Sequence, residues 1–443
     1  MTSAAKTVAV SNQLAQALLE DDRHYVAAVT ELGDRQNVVA AEDIVGSNGI
    51  KLVAKGTKID SRLREKLAGH HIGPSLDKGL LAENCVTPTS LALAADLQIS
   101  ENPFWKTLAN RSGDALAMRH GFAALKLPPA LAFKLTIARE QRPRLFRHSL
   151  RVAILAHYLA LRLKLNERTT QHLLLAALFH DLGEMHTDPA ILDPGHRISD
   201  DERRFVYVHP ATGYRILRNV PALAPEIARA VLHHHERLDG SGYPAGLEGS
   251  QIEPLALPLM VADTAEAVLN RFADHGRLSA LLRLNQRKYD GKAIAFLLEA
   301  VQAHSSDHPV TTQPTDNRRA QLLAISKLLD AWAELQQVLA QEKTNQGEHG
   351  LGFLQQRLSS LNLTLHQFGF DPGSLDTLIT LAAEDNEVAV ELSQVLDELQ
   401  FQLADMAREI DRNSAEIAVA ISANHQSAFN DWRRLLQNTL AQP

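Results

Sequence analysis

Hydrophobic residues recur at helical intervals along most of this 443-residue chain. Leu14, Leu18, Val26 and Val29 predict helix over residues 1–30. The period changes over residues 36–74, where two short β-like runs flank Ser47-Asn48-Gly49, a turn tripeptide. A helix, SRLREKLAGH, follows with Ser61 as its expected N-cap. Residues 75–130 are mostly helical, with breaks expected at Pro88, Pro103 and Lys126-Leu127-Pro128-Pro129. Residues 131–303 read as long amphipathic helices joined by short loops, and the polar stretch 304–317 reads as a linker. Beyond it, Ile325, Leu328, Trp332, Leu335 and Leu339 keep a 3-4 spacing, and so do Leu392, Leu396, Leu399, Leu403, Met406 and Ile410. Such seams suit a bundle within one chain or a helix pair joining two copies. Breaks at GEHG (347–350) and DPG (371–373) separate these helices. The expected fold class is mostly α: a helical bundle domain with a small β-containing N-terminal module and a helical C-terminal extension.

Composition narrows the picture. Aromatics make up 5% of the chain while Leu and Ala are plentiful, which favours helix packing over sheet. The net charge of −7, without a run of like charge, argues against a partner that is a nucleic-acid polymer or a membrane surface. A single cysteine, Cys85, excludes an intrachain disulfide and a Cys-based metal site. A cytoplasmic location fits this, as does an N-terminus without a signal-peptide core. The longest apolar runs, such as LLLAALF at 173–179, are too short to span a bilayer.

Candidate chemistry enters where polar groups interrupt apolar helix faces. Leu173, Leu174, Ala177 and Leu182 form a face that His180 and Asp181 break, a costly arrangement unless the polar groups are paired or metal-bound. His148 interrupts a stretch with Leu145, Val152 and Leu155, and Asp263 interrupts LPLMVADTAEAV. Taken singly, each is more often a hydrogen-bonded core residue than a ligand. His209 stands before Pro210 at a helix start, and His234 and His235 are adjacent. Neighbouring helical residues point about 100° apart, so two such imidazoles reach one ion only near a helix end. Asp239-Gly240-Ser241-Gly242 supplies that end. Imidazoles and carboxylates hold borderline divalent metals, with Fe or Mn favoured and Zn, Mg or Ni as alternatives. Because a carboxylate has two oxygens, Asp181 can bridge two ions. One ion would take His148, His180, Asp181 and Asp263, and the other Asp181, His209, His234 and His235. Two such ions acidify a shared water and clamp a phosphate for in-line attack. Asp181 is then the catalytic bridge that positions the nucleophilic water.

His180-Asp181 with Gly183, His209-Pro210, His234-His235-Glu236-Arg237 and Asp239-Gly240-Ser241-Gly242-Tyr243-Pro244 resemble the HD-GYP family, a subgroup of the all-α HD phosphohydrolases. The resemblance covers residues 140–300. It implies an HD-type bundle and a metal-dependent phosphodiesterase that hydrolyses cyclic di-GMP to linear pGpG, and onward to GMP. It assigns the family's metal ligands one by one to His148, His180, Asp181, His209, His234, His235 and Asp263. Implied partners are cyclic di-GMP or a related cyclic dinucleotide and a GGDEF-type cyclase met by the Tyr243-Pro244 loop; a homodimer through the C-terminal helices is a further expectation. The alternatives are a metal-containing module that binds a cyclic dinucleotide or a cyclase and turns over poorly, and a phosphodiesterase for another cyclic dinucleotide. The expected division is a regulatory module at 1–75, a helical connector at 76–135, the HD-GYP domain at 136–303, the linker at 304–317 and the helical region at 318–443.

The chain departs from the family at three places. Members carry Lys three residues after the metal Asp, where this chain has Glu184. Members with a third metal carry Glu one turn before the first His, where this chain has Arg144, which favours a dinuclear site. The basic Arg-Pro-Tyr-Arg motif after the last metal Asp is absent, and LNRFADHGRLSALLR offers Arg271 and Arg277 in its place. The candidate substrate contacts are therefore Arg144, Glu184, Arg237, Gly242, Tyr243, Pro244, Arg271 and Arg277.

Overall fold

The computed structural model describes residues 3–20, 22–46, 48–68, 70, 76, 79–113, 115–193, 195–196, 198–221, 223–272, 275–307, 316–340, 354, 358, 361, 380, 386–412, 417, 421 and 425–441. They fall into two compact units, residues 1–271 with 286–304, and residues 272–285 with 305–443. The described residues are predominantly helical.

In the first unit, helices Ser3–Glu20 and Arg23–Arg35 lead into a small β module. Ile44–Val45 pairs antiparallel with Lys51–Val53, the hairpin that the turn tripeptide predicts. Gly49 turns it at a φ of +79°, a conformation that costs glycine nothing. Val38–Ala40 instead pairs with Leu80–Ala82, a distant partner that no local signal marks. Ser61 is not the N-cap of the segment after the hairpin. Asp60 takes that place, its Oδ1 accepting from the Arg62 N–H at 3.1 Å, and a 3-10 turn, Ser61–Leu63, precedes helix Arg64–Ala68. Its side chain satisfies an N–H group that the first turn leaves free.

Pro88, Pro103 and Pro129 begin helices rather than interrupt them: Pro88–Glu101, Pro103–Arg111 and Pro129–Gln141. At the first helical position a missing N–H costs nothing. The Thr87 and Asn102 side chains cap the first two by accepting from Ser90 and Phe104 N–H. Leu91, Phe104, Trp105, Leu108 and Leu131 are buried, so the expected connector contributes core. Helices Pro143–Arg162 and Glu167–Phe179 pack together, and helix His209–Leu217 lies against both helix Pro225–His233 and the 3-10 turn Leu182–His186. The N-terminal helices join this assembly. Ser3–Glu20 packs on His209–Leu217, and Arg23–Arg35 packs on Pro129–Gln141 and on the Leu182–His186 turn. At that turn His186 Nδ1 lies 2.6 Å from Asp22 Oδ1, and its ring stacks on Tyr25 at 5.0 Å.

The second unit holds helices His275–Leu284, Asp316–Ala340, Asn386–Arg412 and Gln426–Leu440. Ile325, Leu328, Trp332 and Leu335 are buried in one cluster with Leu392, Leu396, Leu399, Leu403, Met406 and Ile410, so the two seams meet within one chain. The Leu339 side chain and the breaks at 347–350 and 371–373 lie outside the described residues. Helix His275–Leu284 packs on Asn386–Arg412, although its sequence falls inside the stretch 136–303. The expected linker is helical at both ends, as Gly291–Asp307 and Asp316–Ala340, and residues 308–315 lie outside the described ones. No described helix is long and apolar enough to cross a membrane.

Candidate metal centre

Helix ends deliver three of the imidazoles. His180 caps the C-terminus of Glu167–Phe179, His234 caps that of Pro225–His233, and His209 follows the helix Asp200–Tyr207. The last carbonyls of a helix have no partner within it. Each of these rings uses one: His180 Nδ1 donates to Ala177 O at 2.8 Å, His209 Nδ1 to Val206 O at 2.6 Å and His234 Nδ1 to Val231 O at 2.6 Å. The bond fixes the ring and leaves Nε2 as the inward lone pair, the usual outer support of a metal-binding imidazole. His148 lies within helix Pro143–Arg162, where carbonyls are already bonded. Its Nδ1 is held instead by Glu266 Oε2 at 2.5 Å.

The four Nε2 atoms converge on Asp181. Its Oδ2 lies 3.3 Å from His148 Nε2 and 3.1 Å from His180 Nε2. Its Oδ1 lies 3.2 Å from His209 Nε2 and 3.6 Å from His234 Nε2. Asp263 Oδ1 closes the first group, 3.3 Å from His148 and 3.6 Å from His180, and its Oδ2 faces His235 Nδ1 at 3.8 Å. The donor atoms of Asp181, His209, His234 and His235 lie within 4.8 Å of one another, as do those of His148, His180 and Asp263. Nitrogen and oxygen ligands about 2.0–2.2 Å from a cation stand about 3–3.5 Å from each other, close to these spacings. The Nε2 pairs make the same point. His148 faces His180 at 3.1 Å and His209 faces His234 at 3.2 Å. With Nδ1 donating elsewhere, two lone pairs at such range repel unless a cation or a proton lies between them.

Without a cation, protons take that role. Burial lowers the His148 and His180 imidazoles, but Asp181 and Asp263 outweigh it: His148 is held well above its ordinary value, with Glu266 adding to the effect, and His180 rises to about 10. Burial likewise opposes the shift at His209, which Asp181 still raises. Burial lowers His234 and, with His234 and His209 beside it, holds His235 well below the ordinary value. Despite burial, the facing imidazoles hold Asp181 and Asp263 well below the carboxylate range. Ligation needs neutral imidazoles, so cations displace protons from His148 and His180. Metal affinity is expected to rise with pH through neutrality and to keep rising toward pH 10, with proton uptake by buffer on loading. Calorimetry in buffers of different ionisation enthalpy reads this, and loading without proton release would contradict it.

Glu266 was missed in the sequence, although it follows Asp263 by three residues on the same helix face. It is buried, and Arg151 Nη1 lies 3.6 Å from its other oxygen. Glu266→Ala is expected to weaken metal affinity about 10- to 100-fold while leaving every proposed ligand in place. A metal titration followed by competition with a chelator measures this.

The loop after His235 is shaped by Glu236, a residue of the sequence motif to which no role was assigned. Its buried carboxylate accepts from Ala245 N–H at 2.7 Å and Leu247 N–H at 2.9 Å. Tyr243 N–H donates to His235 O at 3.1 Å, and a Cβ on Gly242 would lie 2.4 Å from Arg237 N, so only glycine fits. The loop thereby lays the Tyr243 ring on His235, centroids 4.7 Å apart and 27° from parallel. Pro244, also buried, follows in this loop.

The remaining sequence candidates divide. Glu184 lies in the Leu182–His186 turn; burial and Asp181 lift it to about 7 against the pull of His209, His148 and His180. Arg144 is exposed one turn before His148 and makes no ion pair among the described residues. Arg142, not singled out in the sequence, is half-buried with Nε unpartnered; burial lowers it while Glu31, Asp188 and Glu184 raise it. Arg237 was expected at substrate but donates to Glu236 O at 2.7 Å and His234 O at 3.3 Å, and lies over the Tyr289 ring. Arg277 belongs to the second unit, where it pairs with Glu398 at 3.5 Å and lies over Phe401. These contacts engage both arginines within the fold. The Arg271 side chain lies outside the described residues.

Residues 134–292 match the sequence family described as HD domain. The chain is 37% identical over 123 residues to a cyclic di-GMP phosphodiesterase of Pseudomonas aeruginosa, covering 28% of this chain and 30% of that protein. It is 34% identical over 134 residues to the 3'3'-cGAMP-specific phosphodiesterase 1 of Vibrio cholerae, covering 30% and 31%. Over 130 residues it is 37% identical to a cyclic di-GMP phosphodiesterase of Thermotoga maritima, covering 28% and 34%. The chain thus spans about a third of the length of these relatives.

Proposed function

We propose that this protein, whose residues 134–292 match the HD domain family, is a metal-dependent phosphodiesterase of the HD-GYP kind that opens cyclic di-GMP, or a closely related cyclic dinucleotide, to the linear form. The observation that carries the reading is Asp181, which turns one oxygen to each of two imidazole pairs. His148, His180 and Asp263 would hold one divalent cation and His209, His234 and His235 the other, with Asp181 shared. Bound there, two cations, Fe or Mn by donor type, supply Lewis acidity that acidifies water and offsets charge on the phosphate.

The chain's own groups then divide the remaining work. Hydrolysis forms a bond from water oxygen to phosphorus, breaks the bond to the 3′-oxygen and must deliver a proton to that oxygen. Glu184, half-buried in the turn that follows Asp181, is the acid assigned to that proton rather than to a phosphate. Arg144, exposed one turn before His148 where family members with a third metal carry glutamate, is the cation assigned to the second phosphate. Tyr243 covers His235 and keeps water from that side of the site. Every proposed ligand comes from one chain, so neither a second copy nor a cyclase is needed to complete the site. A cyclase partner would act on the Tyr243-Pro244 loop from outside.

The test is hydrolysis of cyclic di-GMP, 3′3′-cGAMP and cyclic di-AMP by protein loaded with Mn or Fe, with metal content measured on the same sample. Linear dinucleotide should accumulate in proportion to the metal bound. Binding without cleavage at full loading would replace this reading with that of a cyclic-dinucleotide receptor.

A further inference from the structure

Tyr207 ends the helix Asp200–Tyr207, two residues before His209, and the residue is 44% exposed. An exposed tyrosine is unremarked by itself, but this one is the last member of a stack. The His235 ring meets Tyr243 at 4.7 Å, and Tyr243 meets Tyr207 at 4.7 Å with the planes 43° apart. Two ring-to-ring steps therefore lead from a candidate metal ligand to an open aromatic surface at the rim. The stack is anchored from within: Tyr243 is seated by its N–H bond to His235 O and by the loop that Glu236 holds. Tyr207 is held on a helix whose N-terminus is fixed by a Ser199–Glu202 capping box.

We infer that Tyr207 is the stacking platform for one nucleobase of the cyclic dinucleotide. The inference rests on the proposed phosphodiesterase reading. A nucleobase lies one ribose away from its phosphate, so a phosphate held at Asp181 places a base outside the cation pair, and the stack offers an aromatic ring within two steps of the ligand His235. Every base has a π face, so stacking adds affinity without choosing among bases. Tyr207 then sets how tightly a cyclic dinucleotide is held, while the choice between guanine and adenine falls to other groups.

The experiment uses the full chain, metal-loaded, as wild type, Tyr207→Phe and Tyr207→Ala, with metal content matched. The probe is a cyclic dinucleotide carrying 2-aminopurine in place of one base, whose fluorescence is quenched by stacking. Quenching is expected in the wild type and in Tyr207→Phe, and its loss is expected in Tyr207→Ala. KM for unlabelled substrate should rise about ten-fold or more in Tyr207→Ala, the scale of one lost base stack, with kcat within about two-fold. Guanine and adenine substrates should lose equally. Unchanged quenching and KM in Tyr207→Ala would overturn the inference, and so would a fall in kcat that Phe does not rescue. A wild type that takes up no cyclic dinucleotide at all would instead overturn the phosphodiesterase reading, and this inference with it.

Discussion

Asp181→Ala is expected to empty both halves of the metal centre, so that elemental analysis falls from two ions per chain toward none and hydrolysis drops below detection. The carboxylate is common to both imidazole pairs, with Oδ2 on His148 and His180 and Oδ1 on His209 and His234. Removing it takes a ligand from each ion and the negative charge that offsets both. It also withdraws the counter-charge that keeps His148 and His180 protonated in the metal-free protein, so both imidazoles should titrate lower. Asp181→Asn keeps the shape and removes the charge, and the same loss of metal is expected. Retention of two ions per chain in either variant would contradict the bridging role.

Gly183→Ala is expected to destabilise the protein by about 3 kcal/mol or more and to remove metal, although glycine ligates nothing. A Cβ there would lie 2.1 Å from His209 O, 2.8 Å from His209 C and 2.9 Å from His209 Cα. The obstacle is backbone and cannot swing aside. The Leu182–His186 turn and helix His209–Leu217 would have to separate, drawing Asp181 away from the second imidazole pair. Gly213 makes the comparison. Its Cβ would meet a Val231 methyl at 3.0 Å, the end of a side chain that can shift, so Gly213→Ala should cost less. Thermal melting of the two variants with and without metal measures both effects, and equal melting points would remove the argument from the backbone.

What the sequence made legible follows from the kind of signal each residue carries. His148, His180, Asp181 and Asp263 stood out because they interrupt apolar helix faces, and His234-His235 because two adjacent imidazoles need a helix end. The structure gathers these side chains with His209 into two groups that meet at Asp181. Glu266 escaped notice, and Glu236 stood in the motif without a role, because a carboxylate on a helix or in a polar loop is ordinary until its burial is known. Tyr207 escaped because its meaning depends on Tyr243, far along the chain. The pairing of Val38–Ala40 with Leu80–Ala82 is likewise non-local, and Asp60 displaced Ser61 as cap because the helix starts as a 3-10 turn. Arg237 and Arg277 were read by charge and position, whereas their partners, carbonyls in one case and Glu398 in the other, appear only in three dimensions.

The chain enters the second unit at residue 272, returns to the first at 286 and leaves again at 305. A version shortened at residue 303, the obvious place to cut by sequence, would therefore keep helix His275–Leu284 and discard what covers it. Ala280 would lose the cluster in which it is buried, and Arg277 would lose Glu398 and Phe401. Such a fragment should precipitate or cling to itself, whereas one that also replaces residues 272–285 with a short polar bridge should stay in solution.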